Sequence, residues 1–390
     1  MPSNKRDFNS NPRWVIIMIN VEDFINYLKD NNINFFCGIP DSQLSSFCDY
    51  IQENENNIIA ANEGNAVAIA SGYHLTTSNY PVVYLQNSGL GNIVNPVTSL
   101  THSKVYSIPI IYVIGWRGQP GVHDEPQHEK QGEITLKLLE LLDINYTVIN
   151  NESEFDDLKN TFDNEFKEKL SNGESVAVVV SKGTFEDYKI EKTNNNTLTR
   201  EKAIQTITNY LSDDDMIVST TGKSSRELFE YRERNSQGHG NDFLTVGSMG
   251  HSSSIALGIA LNNPNKKIFC FDGDGALLMH MGSAALIGSK SPKNFYHIMF
   301  NNSAHESVGG LPTIIGDIDI SKLILSCGYK TVYNASNINE LNNILPKFIE
   351  SDGPVFLNID VDISSRKDLG RPTTTPIENK NEFMKKLQEN

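Results

Sequence analysis

Phe271-Asp272-Gly273-Asp274-Gly275-Ala276, with Phe300-Asn301-Asn302-Ser303-Ala304 further on, decides how this chain is read. Ile268-Phe269-Cys270-Phe271 is a short apolar run of strand character, and residues 276–290 follow it with helical character. Between them Gly273 and Gly275 permit a tight turn, with room for a phosphate to approach the backbone at the helix start. A second strand-like run, residues 295–300, ends next to Asn302. A carboxylate, Asp274, and a neutral amide oxygen, Asn302, are thus delivered to one sheet edge. Hard oxygen donors of this kind suit Mg2+ bridging a diphosphate. A Gly-Asp-Gly triplet by itself is usually an ordinary turn in which Asp bonds its own backbone. The Asn pair 28 positions on (302 − 274 = 28) makes it a candidate site, with Asp272 assigned to the turn.

Outward from this site, short apolar strands alternate with helical patterns twice over. Residues 34–40, 58–61, 82–85, 108–115, 146–149 and 175–180 form one set, and residues 217–218, 268–271, 295–300, 331–333 and 354–359 another. Near-continuous apolar strands between helices predict an α/β protein with two doubly wound parallel-sheet domains, each sheet covered on both faces. The polar stretch 189–197 separates them, giving domains at 18–188 and 198–390 and an N-terminal extension at 1–17.

At 390 residues the chain has room for two cores. Its net charge of −15 opposes binding to nucleic acid or to an anionic membrane surface, so an anionic substrate has to be met by a local basic pocket. No apolar stretch is long enough for a transmembrane helix, and the polar N-terminus does not read as a secretory signal. Cys37, Cys48, Cys270 and Cys327 lack metal-site spacing and read as reduced core residues of a cytoplasmic protein.

The strand, Gly-Asp-Gly, helix, strand, Asn-Asn order resembles the signature of the thiamin-diphosphate-dependent 2-oxo acid decarboxylase family. That resemblance implies two thiamin-diphosphate-binding domains, the pyrimidine-binding one first and the diphosphate-binding one second. It implies thiamin diphosphate and Mg2+ as cofactors, with Asp274, Asn302 and the Ala304 carbonyl on the metal and Gly273, Gly275 and Ala276 around the diphosphate. Upstream, Ala61-Asn62-Glu63-Gly64-Asn65-Ala66 puts one carboxylate at the entrance of a small-residue helix. By itself Glu63 reads as an acid favoured by the helix dipole. The resemblance makes it the group that bonds the aminopyrimidine and promotes formation of the cofactor's ylid. Gly247 and Met249, in Val246-Gly247-Ser248-Met249-Gly250, match the family's positions facing the amino group and holding the cofactor bent. Thr221, Gly222, Lys223 and Ser224 resemble the loop that receives the diphosphate, although a capped helix start explains them equally well.

There is no room for the middle domain of the larger decarboxylases, so residues 18–375 most resemble the two-domain phosphonopyruvate decarboxylase family. The shared stretches are residues 38–42, 86–92, 124–128 and 371–375. The implied reaction converts 3-phosphonopyruvate into phosphonoacetaldehyde and CO2, a step of phosphonate biosynthesis. The implied assembly is a homodimer or higher homo-oligomer with active sites at subunit interfaces. Asn87, Ser88 and Asn92 follow a strand end, where α/β folds place ligands, and are substrate-binding candidates, with a plain surface loop as the alternative. Arg117 is a candidate bidentate clamp for phosphonate or carboxylate, and His128 a candidate catalytic proton carrier or a merely solvated loop residue. His305 and Glu306 lie beside the Asn pair with either a cofactor-side or a loop-ordering role. Two other functions stay open: a sulfopyruvate decarboxylase, and a cofactor-binding but inactive regulatory subunit. Against the latter, Glu63, Asp274 and Asn302 stand together in one chain.

Overall fold

The computed structural model describes residues 18–389, and the expected extension at 1–17 lies outside them. Six strands, β1 (Phe36–Gly38), β2 (Asn57–Ile59), β3 (Val82–Gln86), β4 (Ile111–Gly115), β5 (Asn145–Ile149) and β6 (Val176–Val180), form a parallel sheet ordered β2-β1-β3-β4-β6-β5. The second sheet contains β7 (Met216–Ser219), β8 (Asp242–Leu244), β9 (Ile268–Gly273) and β10 (Phe295–Asn301). After a hairpin of β11 (Ala304–His305) and β12 (Leu311–Pro312) it is completed by β13 (Thr331–Ala335) and β14 (Val355–Asp360), in the order β13-β14-β10-β9-β7-β8, again all parallel. Setting the hairpin aside and reading each sheet from its second strand, both orders are 2-1-3-4-6-5. The two halves are topological copies.

Parallel strands are joined by crossover helices, so each sheet is roofed on both sides and its inner strands are largely buried and apolar. Val82 and Tyr84 pack in one core and Val83 and Leu85 in another; Phe269 and Phe271 are divided from Ile268 and Cys270 in the same way. Cys37, Cys48 and Cys270 are buried in these layers as free thiols. No described helix is long and apolar enough to cross a membrane.

Two local expectations need correction. Residues 276–290 are not one helix: Asp274–Met279 and Gly282–Lys290 are separate, because His280 leaves helical backbone at φ −133° and ψ 46°. The break accompanies a tertiary bond, as the Met279 carbonyl accepts from the Asn62 side chain of the first domain. β8 was not anticipated, since its three residues open with Asp242, a poor strand former, whose buried carboxylate is satisfied by the Arg232 fork. The connecting stretch 189–197 has no helix or strand, yet it is tied to both domains. Lys192 bridges Asp49 and the Gly309 carbonyl, and Asn194 donates to the Asn302 and Val361 carbonyls.

In each sheet the chain reverses direction across its first and third strands, leaving a crevice at their carboxyl ends where ligands bind in such folds. Gly38 closes β1 beneath that crevice. A Cβ there would stand 2.1 Å from the Tyr84 carbonyl oxygen, a backbone atom fixed in the sheet. Gly38→Ala is therefore expected to destabilise the protein by about 1–3 kcal/mol, read as a lowered denaturation midpoint with unchanged m-value.

Candidate active site

The crevice of the second sheet is built from β9, β10 and the hairpin. Asp274 starts a helix at the end of β9 and is almost fully buried. Thr313 donates a 2.6 Å hydrogen bond to its Oδ2, and no Lys, Arg or His among the described residues pairs with it. Burial pushes its pKa up to about 6. Asn302 is buried beside it, its Oδ1 accepting from the Ala304 amide and its Nδ2 donating to Glu306. A Cβ on Gly273 would meet nothing within 4 Å, whereas one on Gly275 would meet the His305 ring at 3.0 Å. Open space above one glycine, a wall behind the other and a buried carboxylate lacking a cation fit a metal-bound diphosphate.

Thr221, Lys223, Ser224, Met249, Gly273, Gly275 and Ala276 line this cavity. Gly222 holds a left-handed φ of 96° between β7 and the Lys223–Arg234 helix, a conformation glycine adopts without strain. Lys223 is engaged by Glu306 at 2.8 Å, and Glu306 also meets Arg200, which grips Glu227 with two parallel bonds. Glu306 thus orders the loop and links Lys223 to Asn302. His305 is buried, and burial pushes it down to about 4, so its imidazole is neutral. Met249 stands between the left-handed Ser248 and Gly250 and packs against the core of the first domain. Gly247 lies against Gln127 of that domain.

The crevice of the first sheet supplies Glu63. Asn62 caps the Glu63–Thr77 helix through the Asn65 amide and donates its other end to Met279. The buried Glu63 carboxylate folds over Gly89, where any Cβ would stand 2.3 Å from its Oε1, while Asn92 donates to Oε2 at 2.7 Å. Asn92 therefore orients Glu63, a different role from the substrate contact expected of it. Asn87 also differs from expectation. It is fully buried, donating to the Arg117 carbonyl and Thr135 and accepting from the Arg117 amide, so no polar atom is left for a substrate. Ser88 is exposed, with its hydroxyl accepting from Gln86. Within the chain the two domains touch near this helix: Asn62 donates to the Met279 carbonyl, and Ile59, Ala60 and Ala61 share a small cavity with Gly275, Leu278 and His305.

A cavity of about 360 Å3 opens at the end of β4, lined by Ser42, Trp116, Arg117, His123, Lys182 and Arg371 among others. Arg117 does not present a free fork: Nε and Nη2 are taken by Asp124, at 2.7 Å for Nε, and Nη1 donates to Ser42. The two-pronged clamp expected for substrate is occupied by a carboxylate of its own loop. His128 is half-buried, kept neutral by burial and then by the nearby Arg117, with Nδ1 unpartnered among the described residues. Asp41 went unmarked as a site residue. It is fully buried with Oδ1 unpartnered among the described residues, and burial pushes it up to about 6. Its signal was the Pro40-Asp41-Ser42 turn after an apolar strand; Thr313 carried none.

Residues 20–140 match the thiamine pyrophosphate enzyme N-terminal TPP binding domain, and residues 220–359 the corresponding C-terminal TPP binding domain. The chain is 32% identical over 381 residues to the phosphonopyruvate decarboxylase of Streptomyces viridochromogenes, covering 93% of both chains. It is 30% identical to that of Streptomyces hygroscopicus, covering 93% of this chain and 92% of the relative. The sulfopyruvate decarboxylase of Methanosarcina acetivorans is 28% identical over 352 residues, 84% of this chain and 86% of the relative.

A protonated carboxyl offers a cation no ligand, so Mg2+ affinity in the presence of thiamin diphosphate should fall as pH drops through about 6. Calorimetric titration at about pH 7.5 and about pH 5.5 is expected to show a several-fold loss in the wild type. Asp274→Asn should bind weakly at both, and an undiminished wild-type affinity at the lower pH would remove Asp274 from the metal site.

Proposed function

The chain belongs to the thiamin pyrophosphate enzymes and is a thiamin-diphosphate-dependent 2-oxo acid decarboxylase, and from that premise we propose that its substrate is 3-phosphonopyruvate, released as phosphonoacetaldehyde and CO2. The observation that carries the substrate assignment is the cavity whose wall holds Arg117, Lys182 and Arg371 against Asp124 and Glu125, a recess with a small excess of positive charge in a chain of net charge −15. A phosphonate is expected to carry between one and two negative charges near neutral pH, by analogy with a phosphate ester whose second pKa is about 6. The two phosphonopyruvate decarboxylases above support the same choice over pyruvate.

When bound, thiamin diphosphate supplies the electron sink for loss of CO2. The residues around it have separable tasks. Asp274, Asn302 and the Ala304 carbonyl would hold Mg2+, with Thr313 fixing the Asp274 carboxylate. Thr221, Gly222, Lys223 and Ser224 would receive the diphosphate, and Met249 with Gly247 would shape the space between the domains. Glu63, its Oε2 fixed by Asn92, would share a proton through Oε1 with the aminopyrimidine nitrogen. His128, unprotonated at rest because burial lowers its pKa, would take a proton from solvent and pass it to the carbon that loses CO2.

Sulfopyruvate is the second reading, favoured by the Methanosarcina relative. Parallel assays of phosphonopyruvate, sulfopyruvate and pyruvate are expected to rank phosphonopyruvate first by kcat/KM; a preference for sulfopyruvate would overturn the assignment. Glu63→Gln should keep cofactor affinity, measured by calorimetry, and lose about two orders of magnitude or more in kcat, because an amide cannot share the proton. Near-normal turnover at saturating cofactor would reduce Glu63 to a helix-terminal acid.

A further inference from the structure

A spacer between domains needs no buried partner, and the stretch after Tyr188 has several. One face of the Ser45–Asn54 helix is given over to it: residues 46, 49, 50, 53 and 54 follow the spacing of a helical stripe. Ser46 accepts from the Tyr188 amide, the Tyr50 and Tyr188 rings meet edge-on at 5.2 Å, and Glu53 and Asn54 both bond the Tyr188 hydroxyl. Asp49, almost fully buried, accepts from the Lys192 ammonium through Oδ1 and from the Ile190 amide through Oδ2. A carboxylate out of water is tolerated only when bonded in this way, so the helix is built to receive the linker.

From that anchorage the linker reaches the loop after β10. The Lys192 ammonium also donates to the Gly309 carbonyl, and its stem lies against Gly310, where a Cβ would stand 3.1 Å from the Lys192 Cδ. Asn194 donates to the Asn302 carbonyl at 3.1 Å and to the Val361 carbonyl at 3.0 Å, while its Oδ1 accepts from the Asn196 amide. Leu311 is buried with Phe47 and Ile51 in the first domain's core. The segment 302–311 is thus fixed at its start by Asn194 and at its end by Lys192 and Leu311. Between these points stand the Ala304 carbonyl and Glu306, which bonds both the Asn302 side chain and Lys223. We infer that Lys192 and Asn194 are positioning residues for the metal-binding loop: the linker holds the backbone around Asn302 and Ala304, and Asp49 holds the linker. The inference rests on the proposed metal role of Asp274, Asn302 and Ala304. Coupling between binding and ordering is reciprocal, so a linker that orders the metal loop is itself ordered when the metal binds.

The test titrates Mg2+ by calorimetry, in the presence of thiamin diphosphate, into wild type, Lys192→Met, Lys192→Arg, Asn194→Ala and Asp274→Asn. Groups that hold metal ligands from behind are worth about 10- to 100-fold in metal affinity. Asn194→Ala and Lys192→Met are expected to lose about 10-fold or more, and Lys192→Arg, which keeps a charged donor, to lose less. At saturating Mg2+ and cofactor the kcat of these three should stay within about threefold of wild type. In the wild type, Mg2+ with thiamin diphosphate should slow trypsin cleavage after Lys189 and Lys192 by about 10-fold or more, the same coupling read from the other side. Cleavage after Lys104, on an exposed turn of the first domain, should change far less. Mg2+ affinity within about twofold of wild type in Asn194→Ala, a loss of kcat at unchanged affinity, or linker cleavage no more protected than cleavage after Lys104 would each overturn the inference. Melting temperatures identify a variant that fails to fold. Lys192→Met leaves Asp49 buried without its cation, so Asn194→Ala, which removes no charge, then carries the test. If Asp274→Asn binds Mg2+ as the wild type does, the metal assignment falls and the inference with it; if Asp274→Asn alone loses affinity, the assignment stands and the linker inference falls.

Discussion

A carboxylate buried without a cation is the constraint on which the second half of the molecule depends. Asp274 sits almost wholly out of water, held by one threonine hydroxyl and backbone amides, and its raised pKa records the cost of charging it there. A divalent ion with a diphosphate removes that cost. In that reading the Gly-Asp-Gly turn at the end of β9 would admit the phosphates, β10 ends beside it and brings Asn302, and the hairpin returns to bring Thr313.

The first sheet answers with the same strand order and a carboxylate of its own. In each of the two copies the loops able to take a ligand gather at the carboxyl ends of the strands. Asn62 fastens them, capping the Glu63 helix with its oxygen and holding the Met279 carbonyl with its nitrogen. The helix break of the second domain falls at that contact.

Electrostatics divides the labour inside the crevice. In so acidic a chain most cations are matched locally, so basic residue type says little about what binds substrate. The Glu227, Arg200, Glu306, Lys223 chain stiffens the diphosphate loop, and the Arg117–Asp124 pair stiffens the loop after β4.

The strands, their parallel arrangement in two domains and the Gly-Asp-Gly and Asn-Asn turns were legible in the sequence, because each is encoded by contiguous residues: apolar runs for sheets roofed on both faces, glycines for tight turns. The proposed metal pair, Asp274 and Asn302, lies where two apolar runs end. β8 escaped, since three residues beginning with Asp carry too little pattern, and the helix break at His280 escaped because it falls beside a contact between Met279 and Asn62, 217 positions apart. Residue type also misassigned the substrate loops. Asn87, Asn92 and Arg117 all have groups able to bind a ligand, and packing commits Asn87 to the Arg117 backbone and Thr135, Asn92 to Glu63 and the Arg117 fork to Asp124. A side chain fixes which bonds a residue can make. Which of them it makes is set by the partners that folding brings within about 3 Å, and that only the tertiary structure decides.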